Sequence, residues 1–262
     1  MRASDALARL VPALGRSARG GFLRRSGRAP LVWAHRGVSA HATENTEAAF
    51  ALAAAHGADG VEFDVMVCAS GEAVVFHDDD LVRMAGRAES LEALDLAAVR
   101  AVRLTGGHRI PTLAEALDAC GDLFINVELK VPHPGRPGPL PGVVAAALTA
   151  APPRGRIVVS SFDPVALWQF HLAAPNLPLG FLFETAIPAP WRTLGALLGA
   201  SSLHVNHDLC TPAAVAAWKQ RGFGVHAWTV DDPDRLRALV AAGIDGVFAN
   251  DPRAARAALA SA

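Results

Sequence analysis

Hydrophobic and polar positions alternate along Gly60–Val67 (GVEFDVMV). Val61, Phe63, Val65 and Val67 fall on one side and Glu62, Asp64 and Met66 on the other, the period of two of a β-strand. Ser70-Gly71 supplies turn chemistry and Val74-Val75-Phe76 is β-prone again, so the stretch predicts a hairpin. A turn centred on Ser70-Gly71 sets Asp64 opposite His77, with Glu62 on the same face. Directly opposed residues lie about 5 Å apart at Cβ. Two carboxylates and an imidazole are therefore expected to meet on one small patch.

Treating Val74–His77 as the return arm of that hairpin, eight parallel strands are predicted, beginning at Leu31, Val61, Ile125, Ile157, Leu179, Leu203, Val225 and Val247. Helical patterns follow at about 46–55, 111–120, 164–173, 190–198, 211–221, 233–241 and 252–260. Eight parallel strands with helices recurring between them are the (β/α)8 pattern of a TIM barrel, class α/β. A short insertion after the second strand, about Asp80 to Ile110, carries Leu91, Leu94, Leu96 and Val99 at helical spacings. An open doubly wound sheet would call for a Gly-rich phosphate loop, and neither GxGxxG nor GxxxxGK[ST] occurs. His133–Gly142, rich in Pro and Gly, reads as a loop at the face where such barrels place their chemistry.

Composition changes the picture at the amino terminus. The 262-residue chain is 52% hydrophobic with net charge −1, yet residues 1–30 hold seven Arg and one Asp while the rest carries 17 basic and 24 acidic groups. A basic nucleic-acid-binding face on the body is thereby excluded. Residues 1–30 are expected to form a basic, poorly ordered extension outside a domain spanning 31–262. Weak docking to an acidic membrane surface is the alternative for that segment. No run of 18 apolar residues is present for a spanning helix. Cys68, Cys120 and Cys210 are odd in number, far apart and without zinc spacing, which fits a reducing, cytoplasmic setting.

Catalytic groups of such a barrel sit at the carboxyl ends of its strands, here His35 and Arg36, Glu62 and Asp64, Glu128 and Lys130, Ser161, Glu184, Asn206 and His207, and Trp228. Glu62, Asp64 and Glu128 lie within strands and are expected to face inward. Three buried carboxylates are costly without a cation, and an all-oxygen set favours one Mg²⁺ or Ca²⁺ over zinc. His35 and His77 would flank the ion as an acid/base pair. Arg36 and Lys130 offer charge to phosphate oxygens, and Lys130 is one of only two lysines in the chain. This combination describes phosphodiester cleavage. Glu44 and Asn45 could either cap the first helix or touch the site. Trp228 is expected to wall the site, and His207 is a candidate for its mouth. His41, His56, His108, His133 and His171 are assigned to the surface or to loops, without a role.

The segments HRGVSAHATENTEAAF (35–50), EFDV (62–65), VVFHD (74–78), IPTLAEAL (110–117), NVELK (126–130), SSFDP (160–164), WTV (228–230) and GIDGVFANDP (243–252) resemble the glycerophosphodiester phosphodiesterases, in order and at family spacing. The resemblance implies a (β/α)8 barrel with a subdomain inserted after the metal-binding strand. It implies metal ligands Glu62, Asp64 and Glu128, a catalytic pair His35 and His77, and phosphate contacts Arg36 and Lys130. Thr43 stands where the family usually has Pro, and the insertion, which caps the site in the family, is short and poorly matched. The implied substrates are glycerophosphodiesters, cleaved to glycerol 3-phosphate and an alcohol. A related phospholipase D-type activity on lysophospholipid or sphingomyelin and a non-catalytic barrel scaffold are the alternatives.

Overall fold

The computed structural model describes residues 18–25, 27–185 and 198–261. Eight parallel strands, β1 (Leu31–His35), β2 (Gly60–Val67), β4 (Phe124–Leu129), β5 (Ile157–Ser161), β6 (Leu179–Phe183), β7 (Ser202–Asn206), β8 (Gly224–Trp228) and β9 (Gly246–Ala249), pair in sequence order. β1 pairs with both β9 and β2, which closes a (β/α)8 TIM barrel. β3 (Ala73–Val75) is the antiparallel arm hanging from the end of β2. Helices α4 (Leu113–Cys120), α5 (Leu140–Ala150), α6 (Pro164–Ala173), α7 (Pro212–Gln220), α8 (Pro233–Ala241) and α9 (Pro252–Ala260) surround it, after the short α1 (Glu47–Ala51) and the insertion helices α2 (Val82–Ala85) and α3 (Leu96–Ala101). Several of these units share one local grammar. Asp163, Asp232, Asp251 and Thr211 each cap a helix through the side chain, with Pro next in the chain. The cap satisfies free N–H groups and Pro fits the first turn, where its missing N–H costs nothing.

Strand alternation decides what faces where. Val32 and Ala34 of β1, Val61, Phe63 and Val65 of β2, and Ile125, Val127 and Leu129 of β4 point outward into the core under the helices. Their alternates, His35, Glu62, Asp64, Asn126 and Glu128, line the barrel interior at one end. The opposite end is plugged by Trp33, Val158 and Phe248, with Phe22 and Leu23 packed beneath them. His204 and His226 lie fully buried between these layers. Their rings fit because Gly180 and Gly246 have no Cβ, which would stand 2.6 and 2.2 Å from the respective imidazoles.

Several expectations need correction. The hairpin pairs Val65 with Val75 and Met66 with Val74, so Asp64 lies opposite Phe76, not His77, and Phe76 N donates to Asp64 O at 3.0 Å. The loop has three residues between Cys68 and Glu72, with Gly71 at φ 99°, and that one extra residue shifts the register by one. Leu140–Gly142 belong to helix α5 rather than to the Pro/Gly-rich loop before it. His171 is buried on α6, not superficial. The helix expected near 190–198 falls almost wholly outside the described residues. Residues 18–23 form a 3₁₀ turn whose Phe22 and Leu23 are buried in the barrel plug. Arg25 N donates to Asp245 Oδ1. The barrel domain thus reaches back before residue 31, while residues 1–17 lie outside the described residues.

The insertion has its own small core of Leu81, Met84, Leu91, Val99, Val102 and Leu104, packed on Met66, Val74 and Phe76, the hairpin face opposite to that of Val65 and Val75. Among the described residues no helix is long and apolar enough to cross a membrane.

Candidate active site

At the carboxyl end of the strands a cavity of about 410 Å³ is lined by His35, Arg36, Glu62, Asp64, His77, Asn126, Glu128 and Lys130 on one side and Phe162, Leu182, Glu184, Trp228 and Phe248 on the other. One oxygen from each of Glu62, Asp64 and Glu128 lies within 4.8 Å of the others, and all three residues are buried. β2 supplies two of them two residues apart, and the register Asp64↔Glu128 brings the third alongside.

Lys130 follows Glu128 on the same face, with Nζ 3.3 Å from Glu128 Oε1 and 3.6 Å from Asp64 Oδ1. Burial and then the Asp64 charge push Glu62 up to about 8. Burial, with Lys130 opposing and the Asp64 and Glu62 charges adding, pushes Glu128 up to about 8 as well. Asp64 stays below its ordinary value because Lys130 and Arg36 outweigh its burial. Two cations therefore do not neutralise three carboxylates, and the donor set is oxygen without thiol. These residues fit a hard divalent cation. Asn126 Oδ1 and Nδ2 and Trp228 Nε1 are buried in the cavity wall without a hydrogen-bond partner, further polar capacity for a ligand.

The two imidazoles are oriented differently. His35 Nδ1 lies 2.8 Å from Asn250 Oδ1. The Asn250 amide is fixed by donation from its Nδ2 to Asp231, so its oxygen accepts from His35 Nδ1 and, at 2.9 Å, from Ser39 Oγ. His35 Nε2 keeps its lone pair. Burial, then the Arg36 charge, lowers the pKa of His35. His77 Nδ1 lies 2.7 Å from Asp78 Oδ1. Burial lowers its pKa too, against the opposing charge of Asp64. Asp78 is held down at about 2: burial opposes ionisation, but Arg83 and His77 outweigh it.

Arg36 adopts φ 57°, which turns its N–H onto Glu62 Oε2 at 2.9 Å. Its Nη1 donates to Glu44 at 2.8 Å, and its Nε approaches Asp64 Oδ2 at 3.4 Å without hydrogen-bond geometry, leaving that N–H for an anion. Arg83 of α2 bonds both Glu44 and Asp78. A continuous chain, Arg36–Glu44–Arg83–Asp78–His77, thus ties the insertion to the site.

All eight sequence-expected site residues line this cavity: His35, His77, Glu62, Asp64, Glu128, Arg36, Lys130 and Trp228. Glu184 lines it as well. Ser161 borders a neighbouring cavity and spends its hydroxyl on Leu129 O. Asn206 and His207 are not among its lining residues; His207 packs against Arg235. Asn45, rather than capping α1, donates from Nδ2 to Asp64 Oδ2 at 2.9 Å, while Thr46 is the cap. Asn250, Asp78 and Arg83 are not among the residues expected at the site from sequence. Asp78 follows His77 directly and could have been suspected from that adjacency. Asn250 is 215 residues from His35 and left no local signal.

The family model for the glycerophosphoryl diester phosphodiesterase family matches residues 35–254. The chain belongs to that family. With membership comes the enzyme class, a glycerophosphodiester phosphodiesterase. The chain is 33% identical over 235 residues to the glycerophosphodiester phosphodiesterase of Caldanaerobacter subterraneus subsp. tengcongensis, covering 85% of this chain and 94% of the relative. A phosphodiesterase of Oleispira antarctica, solved in complex with the product sn-glycerol-3-phosphate, superposes with TM-score 0.81 at 30% identity, covering 88% and 97% of the two chains. The glycerophosphodiester phosphodiesterase of Thermotoga maritima gives TM-score 0.71 at 28% identity, covering 86% and 96%.

Proposed function

We propose that this family enzyme is a metal-dependent hydrolase of glycerophosphodiesters. It releases glycerol 3-phosphate and an alcohol, with Glu62, Asp64 and Glu128 as metal ligands, His35 and His77 as the acid/base pair and Arg36 and Lys130 on the phosphate. The observation that carries this is the convergence of three buried carboxylates and two separately oriented imidazoles in one cavity. Charge matching supports it. Three carboxylates, two cationic side chains and a dication sum to +1, which suits a monoanionic phosphodiester. Mg²⁺ and Ca²⁺ both suit the oxygen ligands. A divalent cation bound there supplies positive charge to phosphoryl oxygens and acidifies a hydroxyl beside it.

The protein's own residues then do the following. Arg36 Nε and Lys130 Nζ hold the non-bridging oxygens. His35, with its Nε2 lone pair, takes the proton from the substrate hydroxyl next to the phosphate. The freed oxygen attacks phosphorus, and the bond to the leaving alcohol breaks. His77, whose imidazolium form Asp78 supports, gives that alkoxide its proton. Water opens the resulting cyclic phosphate with the two roles exchanged. No Ser or Cys lines the cavity as a competing nucleophile among the described residues. An analogue lacking the adjacent hydroxyl is expected to bind competitively and turn over far more slowly. Cleavage of that analogue at the normal rate would discard the mechanism.

A second reading, the release of a head group from lysophospholipid, is favoured by one observation. Phe162 separates the site from a second cavity of about 400 Å³ walled by Val131, Pro134 and Val165. Beyond it, Val165, Trp168 and Leu172 form an exposed apolar row on α6. Comparing lysophosphatidylcholine with glycerophosphocholine separates the two readings. The buried, unpaired Cys68, Cys120 and Cys210 support a reducing, cytoplasmic setting.

A further inference from the structure

Away from the catalytic cavity, three chain segments bring a second set of ligand-bearing side chains together. His41 stands on the loop after β1, His56 follows α1, and Asp251 caps α9. One ligand atom from each lies within 4.8 Å of the others. His41 Nε2 is 2.9 Å from Asp251 Oδ2, His56 Nδ1 is 3.9 Å from Asp251 Oδ1, and the two rings are 5.2 Å apart. An exposed His–Asp ion pair would account for His41 alone. It does not account for His56, whose side chain is only 11% exposed and whose Nδ1 is buried, aimed at the carboxylate and without a hydrogen-bond partner.

Two imidazole nitrogens and one carboxylate oxygen are the donor set of zinc, with the fourth position left for water. Metal–ligand distances of about 2.0–2.1 Å in a tetrahedron set donors roughly 3.3 Å apart, so side-chain adjustments of about 1 Å complete the site. Asp251 Oδ1 is engaged by Arg253 N and Ala254 N, which leaves Oδ2 for an ion while the helix stays capped. The positive end of the α9 dipole opposes a cation. It amounts to only about half a charge and is already met by the cap.

We propose that His41, His56 and Asp251 form a Zn²⁺ site distinct from the carboxylate cluster. The bound ion clips the loop after β1 to the start of the last helix. The clip adjoins the catalytic machinery. Asp251 follows Asn250, whose side chain orients His35, and Ala40 N donates to Asn250 O at 3.1 Å in the same junction.

The test is equilibrium dialysis of Zn²⁺ against the untagged full-length chain, in millimolar Mg²⁺ so that the carboxylate cluster is occupied by the harder ion. Thermal melting and the visible absorption of Co²⁺-loaded protein are read in parallel. His41 is 49% exposed, so His41→Ala leaves the fold intact. Asp251→Asn keeps the cap and removes the charge. Wild type is expected to bind one Zn²⁺ more than either variant, or to bind it at least tenfold more tightly. A Zn²⁺-induced rise in Tm and intense four-coordinate Co²⁺ bands are expected in wild type only. His56→Ala is expected to match His41→Ala where it folds. Equal stoichiometry and affinity in wild type and His41→Ala, or no Zn²⁺ bound by wild type, overturns the proposal.

Discussion

Asp78→Asn probes the division of labour between the two imidazoles. The substitution keeps an acceptor for His77 Nδ1, now 2.7 Å away, but removes the charge behind the ring. With the charge centres about 5 Å apart and an effective dielectric near 20, the attraction is about 3 kcal/mol. The two side chains are 27% and 20% exposed, so solvent discounts this to roughly half, about 1.5 kcal/mol. That corresponds to about one pKa unit on His77. Asp78 stabilises the imidazolium, so its loss makes His77 release its proton at lower pH. If His77 is the general acid, the alkaline limb of the kcat/KM profile for glycerol 3-phosphate release moves down by about one unit. The rate above that limb falls roughly tenfold, while the acidic limb stays in place. Arg83 retains Glu44 in the variant, so the scaffold survives. A shift of the acidic limb instead would assign His77 as the base. A profile that does not move at all would refute the role given to Asp78.

His35→Ala and His77→Ala should each lower kcat by at least about 10²-fold with little loss of Tm, measured in the same assay and by melting. Glu62 and Glu128 have pKa values raised to about 8 in the fold, so without metal their contribution to stability is full below the ordinary carboxylate range and is lost as pH rises towards 8. Added Mg²⁺ or Ca²⁺ should accordingly raise Tm more at pH 8 than at pH 5, where protons compete for the oxygens; an equal or smaller rise at pH 8 contradicts the metal assignment. A chain beginning at Ala29 loses Phe22 and Leu23 from the barrel plug and should be less stable by about 3–6 kcal/mol in urea unfolding; an unchanged urea midpoint would contradict their place in the plug.

The strands carried most of their own information. In β2 and β4 the outward positions Val61, Phe63, Val65, Ile125, Val127 and Leu129 are apolar while Glu62, Asp64, Asn126 and Glu128 fall between them, so both the element and its buried chemistry were readable from a period of two. The helices starting at Asp-Pro or Thr-Pro were readable because cap and first turn are local. The hairpin register was not, since a two-residue and a three-residue loop use the same Ser-Gly chemistry and differ by one in pairing. His77 reaches the cavity because the chain parts from β2 just after the Phe76 N–Asp64 O bond, which no pattern of alternation encodes. The partners that orient the imidazoles were equally hidden. Asn250 meets His35 only because the barrel closes β9 on β1, and Arg83 meets Asp78 and Glu44 only through the packing of the insertion. Phe22 and Leu23 sat in an Arg-rich stretch whose charge masked their burial.

The most direct measurement follows glycerol 3-phosphate release from glycerophosphocholine by wild type and by Asp64→Asn, each dialysed against EDTA and then given Mg²⁺ or Ca²⁺. Wild type should be inactive after dialysis and recover on adding back the ion, and Asp64→Asn should stay inactive throughout. Full turnover by wild type in excess EDTA, or by Asp64→Asn with metal restored, would contradict a metal held by the Glu62–Asp64–Glu128 cluster as the centre of this enzyme.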